Sequence, residues 1–188
     1  MQEILRQHIE KIVPLTDDEF TFIAAHFSIR HAARGEFLFQ QGERVKYSYF
    51  VVSGLLKLVY DDDSSKQHIA SFAMEDWWES DYLAFYTQRN ATMSLQCIEA
   101  TDLFCLTLED YRQLCAGLRK MEQFFLHKSN YGNIGAQQRI LSFLTSNAKE
   151  RYEQLLHRYP SLLQRVPKTQ LAAYLGVSRE TLSRLGRS

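Results

Sequence analysis

The side chains with the clearest chemistry lie at the C-terminal end, in Lys168-Thr169-Gln170-Leu171-Ala172-Ala173-Tyr174-Leu175-Gly176-Val177-Ser178-Arg179-Glu180-Thr181-Leu182-Ser183-Arg184-Leu185. At helical spacing Leu182 and Leu185 share one side, which leaves Arg179, Glu180, Ser183 and Arg184 facing outward. Arginine can donate to two acceptors on a guanine edge, and glutamate can accept from cytosine N4. Arg179 and Glu180 stand at the N-terminal end of the helix, the end that enters a major groove, and are the expected base readers. Arg184 is expected to read a base or grip a phosphate. Ser178, Thr169 and Lys168 are expected to hold the nucleic-acid backbone.

Such a helix must be held by a second one across a tight turn. Leu171 and Leu175, four apart, give the first helix an apolar face, and Ala172 allows close crossing. Gly176 stands where the turn needs a positive φ. Val177 fills the corner, and Ser178 is a good N-cap for the second helix. Every constrained position of a helix-turn-helix therefore holds a permitted residue.

Charge supports an anionic partner for this end. The chain has 188 residues and a formal net charge of zero, but residues 1–110 hold nine Lys and Arg against eighteen Asp and Glu. Residues 111–188 hold thirteen against four, so a net of −9 faces a net of +9. Such asymmetry points to two modules, one suited to nucleic acid; an electrostatic match between two docked halves is the alternative.

Upstream, Thr16 and Glu19 form a capping box that starts a short helix with Phe20, Ile23, Ala24 and Phe27 on one side. From Gly35 to Leu106 short β segments alternate with turn signals about every ten residues, the pattern of a sandwich, roll or small barrel. They are Phe37–Phe39, Tyr47–Val52, Leu55–Tyr60, Gln67–Phe72, Ala91–Ala100 and Leu103–Leu106, with a polar turn over Asp61–Lys66. Thr107 to Asp110 cap a helix whose Leu114, Leu118, Met121 and Phe125 repeat at four-three-four spacing. That seam suits a dimer, or equally a helix packed on its own roll. Gly132 and Gly135 are expected to interrupt the helix, and a further helical run then reaches Pro160.

Composition excludes several classes. With 45% hydrophobic and 13% aromatic residues the chain can bury a core, and only three Pro and eight Gly rule out collagen-like or low-complexity sequence. No apolar run approaches the roughly 20 residues that span a bilayer, and Glu3, Arg6 and Glu10 interrupt any signal-peptide core. Cys97, Cys105 and Cys115 are too few and too scattered for a disulfide framework or a CxxC metal site and read as reduced thiols in cytoplasm. The six His are isolated, and no GxSxG, P-loop or HExxH is present. No metal site and no enzyme is expected.

The segment Leu175–Arg184 resembles the recognition-helix signature of the Crp/Fnr family of bacterial transcription regulators. The runs Gly35-Glu36-Phe37-Leu38-Phe39-Gln40-Gln41-Gly42 and Tyr49-Phe50-Val51-Val52-Ser53-Gly54 are similar to the paired glycine turns of a cyclic-nucleotide-binding roll. The resemblance covers nearly the whole chain. It implies an α+β protein: an N-terminal sensor β roll of jelly-roll type with its N-terminal helix (1–106), a long dimerisation helix (107–134), and a helix-turn-helix DNA-binding domain (135–188). It further implies a homodimer on double-stranded palindromic DNA, with RNA polymerase a candidate further partner and no membrane. The Leu114, Leu118, Met121 and Phe125 seam would then form the dimer.

Two departures bear on mechanism. In the family's nucleotide binders the Glu of a Gly-Glu pair holds the ribose hydroxyl, and the Arg of a following Arg-Ser pair holds the cyclic phosphate. Here the segments read Asp76-Trp77-Trp78-Glu79-Ser80-Asp81 and Asn90-Ala91-Thr92-Met93, with Arg89 out of register. A buried phosphate without its cation is costly, so cyclic AMP is not expected. No cofactor is required by the sequence, and any other effector is unidentified. Trp77, Trp78, Tyr82, Arg89 and Thr92, with Phe85, are the candidate pocket for one. Residues 1–96 hold no Cys for an iron–sulfur cluster, and no His or Cys stands out as a haem ligand. The chain also stops at Ser188, where relatives continue into a wing, which implies a helix-turn-helix without a full wing and a small phosphate footprint. The competing function is a ligand-binding or protein-interaction module with no DNA target.

Overall fold

The computed structural model describes residues 1–64 and 66–186; Ser65 of the polar turn and the terminal Arg187-Ser188 lie outside the described residues. Two helices open the chain, α1 (Gln2–Glu10) and α2 (Asp17–Ala24). The capping box at α2 forms as the sequence predicts: the Glu19 N–H donates to Thr16 Oγ1 at 3.2 Å, and the Thr16 N–H donates to Glu19 Oε2 at 2.8 Å. The α1 helix lies outside the elements that the sequence pattern marks. Its Leu5 and Ile9 are buried against the roll with Ile23, Phe50 and Phe104.

Eight strands follow: β1 (Ser28–Ala32), β2 (Phe37–Phe39), β3 (Tyr47–Ser53), β4 (Leu56–Asp61), β5 (Gln67–Ala73), β6 (Trp78–Glu79), β7 (Ser94–Cys97) and β8 (Thr101–Thr107). They form two four-stranded antiparallel sheets, ordered β1-β8-β3-β6 and β2-β7-β4-β5. Leu38, Tyr49, Val51, Leu56, Leu58, Leu95 and Leu103 fill the space between them. This is the expected roll. Beyond the expectation are β1, β6 and a short helix α3 (Tyr82–Thr87), while the strand expected over Ala91–Ala100 is confined to Ser94–Cys97.

Each sheet carries a covering layer on its outer face. On the first, α1, α4 (Leu108–Gly117) and the start of α5 (Arg119–Thr145) bury Leu114, Met121 and Phe124 against Phe50, Phe104 and Leu106. On the second, Leu55, Val59, Ile69, Phe72 and Ile98 form one cluster with residues from α6 (Ala148–Arg158), α7 (Pro160–Arg165), α8 (Lys168–Leu175) and α9 (Arg179–Leu185). The C-terminal helices are thus packed on the roll.

Two expectations about the long helix change. Gly132 and Gly135 do not interrupt it; α5 runs through both and crosses the expected boundary between residues 134 and 135. Each glycine weakens a helix by up to about 1 kcal/mol, which the other residues of α5 and its packing outweigh. The break falls instead at Leu118, whose extended backbone (φ −144°, ψ 106°) separates α4 from α5. The seam Leu114, Leu118, Met121 and Phe125 therefore spans two helices. Leu114 and Met121 are fully buried in the chain's own core beside the roll, and Leu118 and Phe125 pack partly buried against it, so the first two are closed to a partner. Of the two readings left open, the helix packed on its own roll is the one observed.

Candidate nucleic-acid interface

The α8–α9 pair has the geometry that its sequence dictates. Gly176 closes α8 in the left-handed region (φ 67°, ψ 35°). The Val177 N–H then donates to Ala172 O at 3.0 Å and turns the chain back. Ser178 caps α9, its Oγ accepting from the Thr181 N–H at 3.1 Å. Leu171, Ala172, Leu175 and Leu182 are buried together. Lys168, Thr169, Ser178, Arg179, Glu180 and Arg184 are exposed, and Ser183 is half-buried. The Glu180 carboxyl is held below its usual range by its own backbone N–H and the Ser178 hydroxyl, so it is an acceptor near neutral pH. Arg184 Nη2 donates to Thr181 Oγ1 at 3.4 Å, which lays its guanidinium along the same outer face.

Other arginines of the basic half turn inward. Arg139 of α5 donates to Ile69 O on β5 and to Tyr174 O on α8, both at 3.1 Å, with its guanidinium 3.7 Å from the Tyr174 ring centroid. Arg151 donates to Leu175 O at 3.1 Å and to Ser146 O at 2.7 Å. Arg165 pairs with Glu75 and Glu99 of the roll. Part of the positive charge therefore matches the acidic roll, as the docked-halves reading expects, while Lys168, Arg179 and Arg184 lie on the outer face. Sequence reasoning does not single out these three, most of whose partners lie 24 or more residues away along the chain.

The candidate effector residues are not brought together. Trp78 points away from the roll interior, among Phe27, Phe50, Phe124 and Phe125, with its Nε1–H donating to His8 Nε2 at 3.1 Å. Trp77 packs edge-on against Tyr159 at 5.1 Å. Neighbouring residues on an extended chain face opposite ways, which is why this pair cannot share a wall. Tyr82 stacks on Tyr86, Arg89 is exposed, and Phe85 is core.

Thr92 has a different partner, one the sequence reading did not single out. The buried Asp81 carboxylate accepts from the Thr92 N–H at 2.7 Å, Thr92 Oγ1 at 2.8 Å and the Met93 N–H at 3.2 Å. Its other oxygen accepts from the Ala84 N–H at 3.1 Å and caps α3. Burial pushes the Asp81 carboxyl up, but these four donors outweigh it and hold the group below its usual range. Next to it Glu79 is also buried, its carboxyl taking Ser71 Oγ at 2.5 Å and the Ser80 N–H at 3.1 Å, and burial pushes it up to about 7. Two buried carboxyls, one held below its usual range and one pushed up to about 7, thus occupy the segment that departs from the nucleotide-binding pattern. Among the described residues no group of three or more His, Cys, Asp or Glu could hold a metal, and no helix is long and apolar enough to cross a membrane.

The outer side of α5 carries the apolar surface that the buried seam does not. His127, Tyr131, Ile134, Gln138 and Leu141 recur at four-three-four-three spacing and are all exposed, Tyr131 at 64% and Leu141 at 59%. Ile140, Phe143 and Leu144 extend the patch beside them.

Comparison with known proteins agrees with this architecture. A family model described as the cyclic nucleotide-binding domain matches residues 29–117. The catabolite activator protein of Thermus thermophilus is 22% identical, with 93% of this chain and 84% of that chain covered and a TM-score of 0.56. The c-di-GMP-responsive global regulator CLP of Xanthomonas campestris is 17% identical, with 92% and 90% covered and a TM-score of 0.70. A protein of Eubacterium rectale described as a transcriptional regulator of the Crp/Fnr family is 15% identical, with 92% and 82% covered and a TM-score of 0.69. At these identities the likeness is one of fold. No curated protein matches the sequence significantly.

Proposed function

We propose that this chain, which carries a cyclic nucleotide-binding domain at residues 29–117 and the fold of the Crp/Fnr regulators, is itself a sequence-specific DNA-binding transcription regulator. The observation that carries the reading is the outer face of α8–α9. A left-handed glycine turn and a serine cap hold Arg179, Glu180 and Arg184 outward from a buried leucine core. Arg179 and Glu180 read base edges, Arg184 reads a base or grips phosphate, and Lys168, Thr169 and Ser178 hold the backbone.

The functional unit is a homodimer, formed through the exposed Tyr131, Ile134 and Leu141 stripe of α5 rather than the buried seam. Two-fold symmetry then calls for a palindromic operator with half-sites about one helical turn, roughly 34 Å, apart. A DNA partner puts its work in the cytoplasm, with RNA polymerase as a candidate neighbour on the promoter. No catalytic or cofactor role is assigned. Cyclic AMP is not its effector: the Asp81 carboxylate already engages the Thr92 and Met93 amides, and a phosphate brought there would face an anion instead of an arginine.

The test is selection of genomic fragments on the purified protein at near-physiological salt, without added ligand. Enrichment of an inverted repeat is the expected result. Absence of enrichment both without ligand and with a panel of cyclic nucleotides overturns the reading in favour of a protein-interaction module.

A further inference from the structure

We propose that Arg165 is the positioning residue that fixes the DNA-reading helix pair on the roll, so that the roll sets the distance between the two recognition helices of a dimer. The inference rests on the DNA-binding reading above. Arg165 is the last residue of α7, just before α8, and its guanidinium lies where three turns of the roll converge. Its Nε donates to Glu99 Oε1 at 3.0 Å and its Nη2 to Glu99 Oε2 at 2.6 Å, in the turn between β7 and β8. Nη1 reaches Glu75 Oε2 at 2.8 Å and Nη2 reaches Glu75 Oε1 at 2.9 Å, between β5 and β6. Nη2 also lies 2.9 Å from Gly54 O, in the turn between β3 and β4.

The receiving turns are themselves fixed. Glu75 Oε1 accepts from the Gly54 N–H at 2.9 Å. Gly54 has φ +105°, and a Cβ there would lie 2.5 Å from Thr101 Oγ1 and 2.6 Å from Ala100 O, so backbone from two turns is in close contact. Carboxylates and carbonyl are thus presented as one rigid receptor for a planar fork. The neighbouring apolar cluster, with Leu55, Ile98, Leu162 and Val166, holds the helices to the sheet but is indifferent to angle. The fork supplies direction, because two bidentate carboxylate pairs fix rotation as well as distance. Lysine keeps the charge and loses that geometry. On the far side of the same contact, Arg139 bonds β5 and α8 together.

The experiment uses the full chain, with Arg165→Lys and, as a milder change that leaves the fork itself intact, Glu99→Gln. Affinity is measured for the selected inverted repeat, for the same repeat with its half-site spacing changed one base pair at a time, and for a single half-site. Wild type should prefer one spacing. Both variants should lose about tenfold on that spacing, change by less than about twofold on the single half-site, and tolerate neighbouring spacings. Loss of structure alone would lower single half-site and repeat together, and that result overturns the positioning role. Amide exchange supplies a readout independent of DNA: α8 and β5 should exchange faster in the variants, with the β1–β8 pairing unchanged. If wild type itself binds no DNA, the DNA-binding reading falls, and exchange alone decides the clamp. Unchanged protection of α8 overturns it.

Discussion

At the scale of single residues, base readers and backbone holders separate by what they lose when truncated. Arg179 is exposed at the start of α9 and can pair with two acceptors of one base. Arg179→Ala should cost about 1–3 kcal/mol against the preferred base at one position per half-site and leave random DNA nearly unaffected. Titration against the operator and its single-base variants checks this; equal losses on specific and random DNA refute the role. Inside the roll, Glu79 makes a prediction about pH. Burial raises its carboxyl from 4.5 to about 7, so the folded chain keeps a proton that the unfolded chain releases. Its contribution to stability is full below the unfolded value and is lost as pH rises through about 7. Glu79→Gln can keep its amide oxygen as acceptor for the Ser80 N–H and turn its NH2 to the Ser71 hydroxyl oxygen, but cannot ionise. It should stabilise the protein at pH 8 by about 3 kcal/mol and at pH 4 by little. Urea unfolding at the two pH values measures the difference, and an equal effect at both contradicts it. His8, which burial lowers to about 4, works in the opposite sense as pH falls below 6.5, but it is common to both proteins and cancels in the comparison.

At the scale of elements, α5 carries the sharpest test because it has two apolar faces. One is committed to the roll through Met121, Phe124 and Phe125, and the other bears Tyr131, Ile134 and Leu141 in solvent. Ile134→Glu with Leu141→Glu places charge only on the second. The pair should leave the melting temperature within a few degrees and convert a dimer to a monomer in sedimentation equilibrium. A variant that stays dimeric puts the interface elsewhere. The same helix shows what a sequence can disclose. A three-four repeat identified helices correctly but could not say which covering the apolar side receives, so the seam at Leu114 to Phe125 was legible as a stripe and not as core. The α8–α9 pair was legible in full, because its constraints are local: a small residue at the crossing, glycine at the turn and serine at the cap. The roll was legible through its turns, whereas β1 and β6 lacked flanking signals or length. Trp77 and Trp78 read as one pocket only while their alternation was ignored. Asp81 and Arg165 escaped notice because their partners are set by packing, eleven residues away for Thr92 and 66 and 90 away for Glu99 and Glu75.

At the scale of the whole molecule, a formal charge of zero conceals a strongly divided one, and the division decides how salt acts. An anionic polymer does not respond to the sum. On the proposed reading it meets the outer face of α8–α9, where Lys168 and Arg184 are exposed cations. A dimer engaging both from each subunit neutralises about four phosphates, which gives a slope of about −3.6 in log affinity against log salt and roughly a 150-fold loss between 50 and 200 mM. Lys168→Ala removes one cation per subunit and should flatten that slope by about two units while weakening specific and random DNA alike. The acidic roll lies behind the helix pair, and at these ionic strengths its repulsion is screened beyond roughly 10 Å. It therefore should not cancel the attraction. A protein-binding module of zero net charge would show a shallow slope and no change with Lys168→Ala, so a salt titration of these two proteins separates the two functions before any operator is known.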